Sequence, residues 1–113
     1  MKRTERIALV TGANKGIGFE VARQLARRNF HVFIGARNET AGQQAAGKLR
    51  AEGAKEDYGE ITFLKMDVSK ADSIRRAAEE FSRKSDQLDT LVNNAGILLD
   101  DDKEVLTITP EMF

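Results

Sequence analysis

At 113 residues the chain suffices for one domain, of a size that buries roughly two-thirds of its unfolded surface. Its 18 lysines and arginines balance its 18 aspartates and glutamates, which argues against a nucleic-acid binder held by bulk positive charge but leaves room for a local cationic pocket. With no cysteine there is no disulfide framework or thiolate metal site, and the single histidine, His31, cannot by itself form a histidine cluster or relay; no metal is expected.

The opening "MKRTERIALV" starts basic, but its apolar run is far too short for a signal peptide or a membrane span, so a cytoplasmic domain with no membrane partner is expected. "RIALVTG" (6–12) is short, β-branched and closed by glycine, the pattern of a buried strand. From Ile17, Val21 and Leu25 recur every four positions beside Ala22 and Ala26, with Arg23, Gln24, Arg27 and Arg28 on the other side, which predicts an amphipathic helix. "HVFIGA" (31–36) reads as a second strand. A weaker helix follows over 40–52, with Ala41, Ala45 and Leu49 as its stripe and Gly53 as its stop. "ITFLKMDV" (61–68) is a third strand. Ser69 and Asp72 have capping-box spacing, and Ile74, Ala77, Ala78 and Phe81 predict a third helix to about Ser85. "DTLVNNAG" (89–96) is a fourth strand ending in a turn, and "DDDKE" (100–104) a solvated loop. Thr109, Pro110 and Glu111 then begin a helix that Phe113 ends at once, so the sequence reads as cut rather than finished.

Strands alternating with helices predict an α/β fold: a Rossmann-like parallel sheet with helices on both faces, strand order 3-2-1-4, truncated after the fourth strand. Residues 1–113 then form a single, partial domain. Its switch point lies between strands one and four, where ligands bind outside the carboxyl ends. "TGANKGIG" (11–18) and "NNAG" (93–96) both fall at those ends.

Gly12, Gly16 and Gly18 are spaced G-x-x-x-G-x-G, which differs from the common dinucleotide fingerprint G-x-G-x-x-G. The physical demands are similar: a sharp turn, a close backbone approach to a pyrophosphate, and tight packing of the next helix, whose positive end faces the phosphates. Taken alone, such glycines also serve ordinary strand-to-helix turns. At the end of the second strand, where an acid holds the ribose hydroxyls in NAD sites, the chain reads Ala36-Arg37-Asn38. A carboxylate there would repel a phosphate on the adenosine ribose, whereas Arg37 attracts one, and Lys15 adds a second cation from the opposite wall. A hydrogen bond to a charged group contributes about 1.5–3 kcal/mol, enough to prefer NADP(H) over NAD. Glu39 lies three residues further on, so a shifted register would put an acid in this pocket.

Together "TGANKGIG", "MDV" and "NNAG" make the chain resemble, over nearly its whole length, the short-chain dehydrogenase/reductase family, and its loop resembles the NADP-dependent carbonyl-reductase-like members. The resemblance implies an oxidoreductase that passes hydride between nicotinamide and a carbonyl or alcohol carbon. It implies that Thr11, Gly12, Gly16, Ile17 and Gly18 form the diphosphate loop with Asn14 near the ribose, and that Lys15 and Arg37 select the 2′-phosphate. Asp67 would accept from the adenine amine with a Val68 backbone contact beside it. Asn93, Asn94, Ala95 and Gly96 would steady the sheet centre and line the adenosine ribose.

The family's catalytic tyrosine and the lysine four residues after it have no counterpart here. The only tyrosine, Tyr58, is followed at the fourth position by Thr62, and it reads as a surface-loop residue. No serine matches the catalytic one, and the relay asparagine would fall just beyond Phe113. The expected catalytic set is therefore empty, and the chain alone is expected to be inactive. A sheet ending at strand four exposes an apolar edge at "TLVNN", so self-association, or dependence on a missing carboxyl-terminal half, is expected. A competing reading is a non-catalytic nucleotide-sensing module acting through a protein partner. A receiver-type domain is disfavoured, because "TGANKG" lacks the acids such chemistry wants after the first strand.

Overall fold

Every residue of Ile7–Thr11 (β1) and His31–Ala36 (β2) is buried, as befits strands covered on both faces. The computed structural model describes residues 5–94, 97–98 and 105–106. Around the two central strands the chain adds Gly16–Arg27 (α1), Glu39–Glu56 (α2), Ile61–Lys65 (β3), Ala71–Lys84 (α3) and Thr90–Val92 (β4). The four strands form one parallel sheet in the order β3-β2-β1-β4, as the sequence predicts. A short antiparallel pair, Ile97–Leu98 (β5) with Val105–Leu106 (β6), follows; the sequence reading did not anticipate it. Ala95, Gly96, the loop at 100–104 and the helix start at 109–113 lie outside the described residues.

Alternation along the strands divides the core in two. On one face Val10, Val32, Ile34 and Ile61 pack against Ala22 and Ala26 of α1 and Ala45, Ala46 and Leu49 of α2. The small residues at those helix positions let the helices lie close to the sheet. On the other face Ile7, Leu9, Phe33 and Leu64 meet Ala77 and Phe81 of α3, where Phe33 and Phe81 make an edge-on ring contact at 4.7 Å. Ile74, Leu88 and Leu91 remain about 40% exposed on or beside this thinner side.

Three local expectations are corrected. First, α2 does not stop at Gly53 but runs to Glu56 and ends on Asp57, which takes the left-handed conformation with φ 62°. Gly53 instead gives room to Tyr58, since a Cβ on it would lie 2.7 Å from the tyrosine's Cβ. Second, Tyr58 is half-buried against the α1–α2 core rather than a loop-surface residue, and its hydroxyl donates to Glu52 Oε1 at 3.3 Å. Third, the Ser69–Asp72 capping box does not form: the residue before α3 is Lys70, with no side-chain cap. The strand limits also contract, with β3 closing at Lys65 and β4 at Val92.

A forked ion pair joins α1 to α2. Arg23 donates from Nε to Glu52 Oε1 at 2.8 Å and from its terminal nitrogen to Oε2 at 2.9 Å, while Glu20 bonds the same guanidinium. The hydrogen bonds from Arg23 hold the Glu52 carboxyl below the usual carboxylate range. A depressed folded pKa contributes stability above the unfolded value, and that contribution is lost as pH falls through the folded pKa. Glu52→Gln is therefore expected to lower the unfolding free energy by about 0.5–1 kcal/mol near neutrality. The deficit should shrink as pH drops below about 4. Denaturant titrations of both proteins across pH check this, and a deficit that stays constant into acid would contradict it.

Candidate functional site

The carboxyl ends of β1 and β4 lie side by side, and the glycine loop crosses above them. Immediately after β1 the backbone turns with Gly12 at φ 62°, and Gly16 opens α1 at φ 64°; both values lie in the left-handed region that favours glycine. The Ala13 N–H donates to the Gly35 carbonyl at 3.1 Å, tying the turn to β2. Asn94 secures the other side, its Nδ2 donating to the Gly12 carbonyl at 3.2 Å. Gly18 is buried directly beneath this contact. A Cβ there would lie 2.4 Å from Gly12 O and 2.6 Å from Asn94 Nδ2, so no larger residue fits without moving the loop. One step back, Thr11 Oγ1 donates to Asn93 Oδ1 at 3.0 Å.

The start of α1 differs from that of α2. Asn38 caps α2, accepting from the Ala41 N–H at 2.8 Å, and Glu39 adds negative charge to its first turn. No side chain caps α1, and its first turn carries no acid. Its first amides and the positive end of its dipole therefore face the loop mouth uncompensated, the arrangement that receives anions such as phosphate. Lys15, the residue before α1, is extended and exposed, and Ile17 is 76% exposed although aliphatic. Asn14 is half-buried in the same turn.

At the next strand ends, Arg37 follows β2 directly and is exposed. Glu39 belongs to α2 rather than to the strand end; it lines a cleft with Gln43, Lys65 and Lys84 toward β3. Asp67 lies just past β3, with half-buried Val68 beside it. The Ser69 hydroxyl and N–H both donate to Asp67 Oδ1, at 2.6 and 3.0 Å, and the Asp67 N–H donates to Ser73 Oγ at 2.8 Å. The Ser69 hydroxyl bond, then its N–H bond, hold the Asp67 carboxyl below its usual range, and the positive charges of Lys70 and Arg37 act in the same sense. Asp67 is thus an ionised acceptor at neutral pH, fixed through one oxygen.

The loop residues 11–18, with Asn93 and Asn94, form one connected unit. Arg37, Asp67 and Val68 stand at neighbouring strand ends on the same edge of the sheet. The sequence reading gave Asn94 a role shared with its neighbours, steadying the sheet centre and lining the adenosine ribose; the structure gives its amide a specific acceptor on the loop. It also missed Ser69 and Ser73 as the groups that orient Asp67. An Asp-x-Ser spacing at a strand end was the available sign of such a turn.

Residues 6–113 match the family model for short chain dehydrogenase. The chain is 43% identical over 97 residues to (−)-isopiperitenone reductase of Mentha piperita, covering 86% of this chain and 31% of that protein. Among solved structures, menthone neomenthol reductase from Mentha piperita superposes with a TM-score of 0.78 at 39% identity, covering 84% of this chain and 33% of that one. The Pseudomonas aeruginosa RhlG/NADP active-site complex superposes with a TM-score of 0.73 at 40% identity, covering 81% and 35% respectively. The chain therefore spans about a third of the length of the relatives it matches. On the matched residues, the strand order and the glycine loop at the switch point, the chain belongs to the short-chain dehydrogenase family of oxidoreductases.

Proposed function

We propose that this chain is the cofactor-binding half of an NADP(H)-dependent oxidoreductase that interconverts a carbonyl and an alcohol. The uncapped amino end of α1, behind a loop shaped by Gly12, Gly16 and Gly18, carries the reading, because it fits a diphosphate and little else in its surroundings satisfies it. The nicotinamide supplies the hydride chemistry; the residues of this chain bind and orient. Thr11, Gly12, Asn14, Gly16, Ile17 and Gly18 hold the diphosphate and ribose, and the exposed Ile17 side chain offers an apolar surface to a bound ring. Lys15 and Arg37 take the ribose phosphate. Asp67 accepts from the adenine amine, and Val68, Asn93, Ala95 and Gly96 line the adenosine. Relatives found with NADP support the choice of cofactor. No Tyr-x-x-x-Lys pair occurs in these 113 residues, so the chain by itself binds without turnover. If it acts alone, the same site makes it a nucleotide-responsive module for a protein partner.

Titration with NADPH and NADH tests the reading. NADPH should bind more tightly. Arg37→Ala should weaken NADPH by about 1.5–3 kcal/mol, roughly 10- to 150-fold in Kd, and leave NADH nearly unchanged. Gly18→Ala should weaken both, because its Cβ displaces the loop that both cofactors share. Equal losses of the two cofactors in Arg37→Ala would contradict the phosphate role, and no binding of either would overturn the reading.

Self-association is expected as well. Leu91 on β4 is 40% exposed, and among the described residues no strand pairs with the outer edge of β4. Sedimentation should reveal concentration-dependent association. A single monomeric species at high concentration would contradict it.

A further inference from the structure

Opposite the glycine loop, at the amino ends of the strands, one ring nitrogen of His31 and a carboxylate oxygen from each of Glu5 and Glu60 all lie within 4.8 Å of one another. We propose that these three residues bind a divalent transition metal of the zinc class. The sequence reading discounted metal because a lone histidine makes no cluster; the sheet register supplies the missing partners. His31 is paired with Ile7 on β1, and Val32 with Ile61 on β3, so Glu60 stands beside His31. Glu5 lies two residues before Ile7 and therefore projects to the same face. Backbone bonds fix all three strands here: the His31 N–H donates to the Arg6 carbonyl at 2.8 Å and the Val32 N–H to the Glu60 carbonyl at 2.8 Å. Gly59 makes the approach of the third strand possible, since a Cβ on it would lie 2.0 Å from the Phe30 carbonyl oxygen.

The imidazole is held as metal-ligating histidines are held. It is buried, stacks on Phe33 with centroids 4.5 Å apart, and its Nε2 bonds Thr62 Oγ1 at 2.8 Å. The Thr62 contact fixes the orientation of the ring, and in the tautomer whose Nε2–H donates to the hydroxyl, Nδ1 carries the lone pair that a cation needs. Among the described residues neither Glu5 nor Glu60 has an ion-pair partner, so both carboxylates are available to a cation. One nitrogen and two oxygens suit zinc-class ions, with water completing the shell. Metal–ligand bonds of about 2.0–2.2 Å require the groups to draw closer by roughly an ångström, within reach of two glutamates that are not buried. The bound ion would staple the segment preceding β1 to β2 and β3, far from the cofactor loop.

Co²⁺ serves as the probe, added to the whole chain and followed by amide NMR and by calorimetry. One site is expected, with paramagnetic broadening centred on the amides of Glu5, His31 and Glu60. Glu60→Gln and Glu5→Gln should each weaken binding at least tenfold, and these positions avoid unfolding the buried His31 side. Thr62→Val should weaken it by about 10- to 100-fold while keeping one-to-one stoichiometry. Zn²⁺ should displace Co²⁺ and raise the melting temperature of the parent but not of Glu60→Gln. Broadening centred elsewhere, affinity unchanged in both glutamate variants, or no binding would each overturn the proposal.

Discussion

The contact among Gly12, Gly18 and Asn94 ties the first strand–helix unit to the fourth strand across 82 positions of sequence. Asn94 Nδ2 can reach the Gly12 carbonyl only because the helix beneath presents a residue with no Cβ. Helix α1 in turn approaches the sheet closely because Ala22 and Ala26 face it. The loop, the start of α1 and the end of β4 are therefore one hydrogen-bonded and closely packed unit, which orients the loop's amides relative to the sheet. A flexible polar loop would leave those donors to water. Here their orientation is established before any ligand arrives, which reduces the ordering cost of binding.

On the proposed reading, that fixed framework is what lets charge decide between cofactors. Arg37 is exposed and follows directly from the buried β2, so its backbone is fixed while its side chain reaches into solvent. Asp67 is anchored through Ser69 and Ser73 at the end of the neighbouring strand, and Arg37 is one of the cations that favour its ionised form. The edge of the sheet thus offers an anion site at α1, an exposed arginine at β2 and a fixed carboxylate at β3. The proposed function assigns these three, in that order along the edge, to a diphosphate, a ribose phosphate and a base.

The sheet order was legible in the sequence because it follows from periodicity and the handedness of crossovers, but the helix stripes were legible only in part. Ala22, Ala26, Ala45, Leu49 and Ala77 are buried as the spacing predicts, whereas Ile17, Ile74 and Ala78 of the same stripes are exposed. Val10, Val32, Ile34 and Leu49 could be assigned to the core from pattern alone. Side-chain competition was less legible. Ser69 and Asp72 had the spacing of a capping box, but Asp67 lies nearer to Ser69 and takes its hydroxyl, so α3 starts without a side-chain cap. Gly53 resembled a helix stop, but Asp57 accepts the left-handed turn and the glycine instead admits Tyr58. The β5–β6 pair, with two residues in each strand, is too short to show any period. The grouping of Glu5, His31 and Glu60 depends on register between three strands, information that no single stretch contains.

The central claim is that the amides opening α1 receive the cofactor's diphosphate. Amide NMR during an NADPH titration tests it directly. The largest shifts should fall on Gly12 through Gly18, with smaller ones at Arg37 and Asp67. Binding that leaves Gly16, Ile17 and Gly18 unshifted would contradict the account, because the cofactor would then be held somewhere other than the loop.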